Sequence, residues 1–204
     1  MVHRSGFSCA FAAVLLAFAL NANAVPVHVE SSDGDLSGDG LAPTSVSVAA
    51  GSNEIYGTTG RTAEGVVDRD YFVISVPTGH QIVALIEKAG TTTVGGVAFL
   101  AVQTGTQVTV PTNTQDATGL LGWIHYFGAT EDTDILVGLG QGGFGAEDFI
   151  PPLPAGDYAF WIQDTGLGSA SYGFDIVIAA PEPGAAALVL AGLLAAGLAR
   201  AARA

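Results

Sequence analysis

The stretch DGDLSGDG begins at Asp33 and places Asp33, Asp35, Ser37 and Gly38 at positions one, three, five and six of a calcium-binding loop. Oxygens at alternate positions of such a loop wrap a hard cation, and a bidentate glutamate at position twelve closes the shell. Position twelve here is Thr44, and no amphipathic helix flanks the loop, so this is not an EF-hand. Hard oxygen ligands gathered at an exposed edge still suit calcium. The ordinary alternative is a solvated acidic linker with turn-forming aspartates.

Other chemistry is thinner. GLGQGG, Gly138 to Gly143, matches the dinucleotide-binding glycine spacing, but FGAEDFIPPLP follows it where a helix should open. The only cysteine, Cys9, precedes the apolar stretch near the N-terminus. His28, His80 and His125 form no HExxH or other pair at metal spacing, and Gly-x-Ser-x-Gly is absent. The expectation is a non-enzymatic protein; a hydrolase would need His125, a serine and a carboxylate to meet in a concave site. Trp123, Tyr126, Tyr158 and Trp161 supply flat rings that can stack on apolar ligand faces, and Trp123 and Trp161 are the candidates for ligand stacking. Aromatics at alternating strand positions otherwise belong to a core.

These groups need a scaffold, and the pattern indicates strands. Short runs of strand character recur at Thr44–Ala49, Asn53–Gly57, Tyr71–Val76, Gln81–Lys88, Gly96–Gln103, Thr106–Pro111, Leu120–Tyr126, Ile135–Leu139, Tyr158–Asp164 and Tyr172–Ile178, many separated by Gly- or Pro-containing turns. With no convincing amphipathic helix, they predict an all-β, antiparallel β-sandwich over residues 44–180. In DYAFWIQD, Tyr158, Phe160 and Ile162 share one face; in YGFDIVI, Tyr172, Phe174, Ile176 and Ile178 do. DTGLGSAS between them reads as a hairpin connection. QIVALIEK is apolar on both faces until Glu87 and reads as a central strand. Residues 25–43, rich in Gly and Asp, read as an extended acidic arm.

Both ends differ from this middle. His3 and Arg4, then Phe11 to Leu20, then Ala22-Asn23-Ala24 fit a secretory signal peptide over residues 1–24, cut before Val25. Residues 25–180 carry 18 acids against Arg61, Arg69 and Lys88, a net charge of −15. That surface repels nucleic acid and anionic lipid and suits divalent cations. Without thiols after the leader, the exported part relies on its own core. At the other end, Pro181-Glu182-Pro183 precedes an apolar run from Gly184 to Ala199, then Arg200 and Arg203. At about 1.5 Å per residue the run spans about 24 Å, short of a hydrocarbon core of about 30 Å but able to cross with local thinning. The arginines agree with a cytoplasmic C-terminus.

This tail, residues 181–204, resembles the PEP-CTERM sorting signal of exported bacterial proteins. The resemblance implies that a membrane-embedded exosortase recognises Pro181, Glu182 and Pro183 and processes the protein, in Gram-negative bacteria that make exopolysaccharide. The tail would hold the chain transiently at the inner membrane before it reaches the cell surface or extracellular matrix.

The middle resembles the bacterial pre-peptidase C-terminal domain, through VESSDGDLSGDGLAPTSV, EIYGTTG, DRDYFVISVPTGHQI, LPAGDYAFWIQD and YGFDIVI. That resemblance implies a jelly-roll-like sandwich that accompanies secreted enzymes without being one, and that in some members binds calcium or extracellular polymers. It also implies a ligand set: Glu30, Asp33 and Asp35 from the arm, meeting Asp68 and Asp70 where an early strand begins. The expected function is a surface or matrix protein associated with exopolysaccharide, with a calcium-assisted glycan- or protein-binding module as the alternative.

Overall fold

The structure is a computed structural model that describes residues 26–113 and 115–181. The expected leader, Glu182, Pro183 and the apolar run beyond them lie outside the described residues; Pro181 is described and exposed. Among the described residues no helix is long and apolar enough to cross a membrane.

The elements in chain order are β1 (Pro26–Val29), α1 (Glu30–Asp33), β2 (Thr44–Ser45), β3 (Glu54–Arg61), β4 (Val67–Val76), β5 (Gln81–Glu87), β6 (Ala98–Thr104), β7 (Gly122–Tyr126), β8 (Thr133–Asp134), α2 (Leu136–Gly140), β9 (Gly156–Gln163) and β10 (Gly168–Ala179). The fold is all-β and mostly antiparallel. One curled sheet runs β7-β6-β9-β4-β3-β10-β5-β8, with β1 parallel to β3 and β2 parallel to β4. The junction of β3 with β4 is only two residue pairs long, Gly60 with Asp68 and Arg61 with Val67, and there the sheet turns back on itself.

Strand alternation sorts the core. Tyr158, Phe160 and Ile162 of β9 join Phe72 and Ile74 of β4 and Leu100 and Val102 of β6. Across from them stand Ile55, Leu85, Phe174 and Ile176 in the same cluster. Phe72 and Phe160 stack with centroids 4.9 Å apart and planes at 6°. The opposite face of β4, β6 and β9 is covered as well: Tyr71, Ala101, Ala159 and Trp161 pack under Val108, Val110, Ala117 and Leu120. Two buried faces explain why DYAFWIQD carries large apolar residues in consecutive positions.

Several local expectations are revised. Thr106–Pro111 is not a strand. Its valines cover the outer face of the sheet while Val108 N–H donates to Gly40 O at 2.8 Å and Thr109 N–H to Gln103 Oε1 at 2.9 Å, so these amides need no ladder. Ile135–Leu139 gives way to α2, because Asp134 Oδ1 accepts from Leu136 N–H at 3.0 Å, and Leu136 and Leu139, three apart, are buried together. DTGLGSAS is a crossover and not a hairpin: β9 pairs with β4 and β6, whereas β10 pairs with β3 and β5. Asp164 secures this crossing by accepting from the amides of Val94 (2.8 Å) and Gly166 (2.7 Å). β5 lies near a sheet edge, with only the two-residue β8 outside it. The arm is more ordered than an extended loop: β1 and α1 form within it, Leu36 is buried, and Tyr71 N–H donates to Ser37 O at 2.9 Å.

Candidate metal centre

The arm is long enough to reach the sheet and has a reason to return. β1 pairs in parallel with β3, α1 turns the chain, and the Ser37–Tyr71 bridge ties it to β4. This path brings Glu30 and Asp35 against Asp70, with one carboxylate oxygen from each lying within 4.8 Å of the others. Oxygens bound to one calcium ion at 2.3–2.6 Å can be at most about 5.2 Å apart, so one ion can touch all three.

Asp70 occupies the inward face of β4, two positions before Phe72, and is fully buried. Neither of its carboxylate oxygens has a hydrogen-bond partner. Burial pushes its pKa up to about 9; the charge of Glu30 adds to this, the nearby Tyr172 hydroxyl opposes it, and Asp68 and Asp35 add smaller repulsions. Asp68, on the same side of β4, is also raised, first by burial and then by Asp35 and Glu30. Among the described residues no Lys or Arg forms an ion pair with these acids. The ion pairs among the described residues are those of Lys88 with Glu54 and Asp132, and Arg69 Nε donates to Gln163 Oε1 at 3.0 Å. A buried, unpaired carboxylate facing two more is costly unless protonated or bound to a cation.

Glu30 is held in place. Its Oε2 accepts from Thr58 N–H at 2.8 Å, and its Oε1 from the Tyr172 hydroxyl at 3.3 Å and Leu36 N–H at 3.4 Å. Gly57 makes this possible: a Cβ there would overlap the Tyr172 hydroxyl and the Glu30 carboxyl carbon. A hollow of about 480 Å³ lined by Glu30, Asp35, Tyr56, Thr58 and Tyr172 opens beside the cluster. Water can therefore complete the six to eight oxygens that calcium takes.

No family model, no curated protein and no solved structure matches this chain.

Of the five acids expected at a metal, Glu30, Asp35 and Asp70 come together and Asp68 stands close enough to repel them. Asp33 does not join them. Its Oδ2 accepts from Val29 N–H at 2.8 Å and so holds the turn of α1. Tyr172 and the Thr58 amide had no sequence signal, since each belongs to a strand remote from the arm in the chain. The tryptophans lie elsewhere: Trp161 is buried in the outer cluster, and Trp123 is half-buried against it. His125, exposed, adjoins Trp123 and Phe99.

Proposed function

We propose that this chain is an exported, non-enzymatic, jelly-roll-like β-sandwich that holds a calcium ion between its N-terminal arm and β4. It works at the cell surface or in the extracellular matrix with exopolysaccharide. The Pro181-Glu182-Pro183 tail is its address: an exosortase at the inner membrane recognises it and processes the chain. The observation that carries the calcium reading is the Asp70 carboxylate, buried and without a partner, facing Glu30 and Asp35. The sorting reading rests on the order of motif, apolar run and arginines in the tail.

Calorimetric titration of the full-length chain with calcium at neutral pH tests the centre. One ion per chain should bind, and Asp70→Ala should weaken binding at least about tenfold, the cost of losing one charged ligand worth 1.4 kcal/mol or more. Absence of heat at millimolar calcium would refute it. Removal of residues 181–204 tests the address. Fractionated cells should lose the membrane-held form; an unchanged distribution would show that the tail sorts nothing.

The alternative reading, a calcium-assisted module for a glycan or protein partner, is favoured by one observation: an aromatic groove lies on the sheet face away from the core.

A further inference from the structure

The register of β7, β6 and β9 sets side chains on the outer sheet face in two rows. Trp123, Ala101 and Trp161 lie across from one another, and beside them His125, Phe99 and Gln163 do. The small Ala101 lets the neighbouring rings close up. Phe99 meets Trp161 edge-on at 4.9 Å between centroids and Trp123 at 5.7 Å, while Trp123 meets His125 at 5.2 Å. Val108, Val110, Ala117 and Leu120 cover part of this face. What remains is a groove of about 400 Å³ whose lining includes Phe99, Leu120, Trp123, His125, Trp161 and Gln163. That volume falls within the range of natural small-ligand sites, and the lining combines three aromatic rings and several aliphatic side chains with Thr112, Gln115, Asp116, His125 and Gln163.

The groove carries unfilled hydrogen-bonding capacity. Trp161 is only 5% exposed, and its indole N–H has no acceptor. Gln163 uses its amide oxygen on Arg69 and keeps its amide N–H donors. Trp123 is fixed against the Gly143 backbone, where no side chain would fit, so the ring is braced before any ligand arrives.

We propose that this groove binds an uncharged hexopyranose chain. Flat rings match the apolar faces of sugar rings, and the indole, imidazole and amide groups match hydroxyls. Charge decides against an acidic polymer: residues 25–180 carry a net −15, and the groove's lining includes Asp116 but neither Lys nor Arg. Position decides against a peptide. The groove is built from side chains on the face of the sheet, and extended peptides draw much of their affinity from main-chain pairing at a strand edge instead. This inference rests on the alternative reading above, a module for a glycan partner; the groove's lining shares no residue with the metal centre, so either can fail alone.

Trp123 and Trp161 are the two tryptophans of the chain, so its indole fluorescence reports on this groove. The full-length protein would be titrated with cellohexaose, laminarihexaose and mannohexaose, with hexagalacturonate as the acidic control and a proline-rich peptide as the rival. At least one neutral hexasaccharide should change the emission saturably. His125→Ala and Gln163→Ala, at half-buried or exposed positions, should each weaken it about tenfold while calcium affinity stays unchanged. The proposal is overturned if no neutral hexasaccharide acts at millimolar concentration, if the acidic sugar or the peptide binds as tightly, or if both variants bind like the parent.

Discussion

Between about pH 5 and pH 9 the metal-free protein should lose stability as pH rises, opposite to the usual behaviour of a carboxylate-rich domain. The sign follows from Asp70. Its pKa is raised to about 9 in the folded state, against about 3.9 in an unfolded chain. Between these values the folded state holds a proton that the unfolded state has released. The stabilising contribution is complete below the unfolded pKa and is lost as pH climbs through the folded one, with a slope of up to roughly 1.4 kcal/mol per pH unit. Asp68 and Glu87, both raised chiefly by burial, act in the same direction. The groups facing Asp70 are Glu30, Asp35, Asp68 and the Tyr172 hydroxyl, none of them a cation. Calcium should reverse the trend, because it takes the ionised carboxylate and its affinity rises as the competing proton leaves. At a hundredfold excess over its Kd it adds about 2.7 kcal/mol, or about 5–10 °C in Tm for a chain of this size. Asp70→Asn, nearly isosteric with the protonated acid, should flatten the metal-free slope and abolish the calcium shift while leaving the chain folded. Thermal melts from pH 5 to 9, with calcium and with chelator, decide this. A metal-free Tm that climbs across that range would contradict the assignment of Asp70.

Replacing Phe160 by alanine should be among the most damaging single changes in the chain. Phe160 is 2% exposed, stacks on Phe72 and pairs in register with Val102 on its other side. β9 is flanked on both edges by long strands, so a cavity there cannot close by a shift at a free edge. Such a truncation costs about 3–5 kcal/mol, a large share of the roughly 5–15 kcal/mol that holds most domains together. Denaturant unfolding with calcium present should show a lower midpoint at an unchanged slope. Phe160→Leu should recover much of the loss. A cost below about 1 kcal/mol would mean that the stacked pair is not the centre of the core.

The alternation of Tyr158, Phe160 and Ile162, and of Tyr172, Phe174 and Ile176, was readable because a strand places every second side chain on the same face. Partnership was not readable. DTGLGSAS has the composition of a hairpin turn, yet the strands on either side of it belong to different halves of the sheet, a choice made by long-range packing rather than by turn chemistry. Val108 and Val110 alternate as a strand would, but cover the outer cluster, because the same alternation serves a lid as well as a ladder. At the candidate metal centre, a density of acids marked the arm and the start of β4 as suited to calcium. Nothing in that density distinguished Asp33, which holds a local turn, from Asp35, which meets Asp70.

Residue types and their order were enough to determine an acidic, strand-built body, cysteine-free over residues 25–180, with acids clustered near its beginning. These properties belong to each residue or its close neighbours and survive without knowledge of the fold. Only the tertiary structure decided that the Asp70 carboxylate is buried with neither oxygen hydrogen-bonded, that Tyr172 and the Thr58 amide position Glu30, and that Phe99, Trp123 and Trp161 share one groove. Burial, and with it a raised pKa or an idle donor, depends on which distant strands pack together. That pairing is settled by how the whole core closes rather than by any local stretch of the chain.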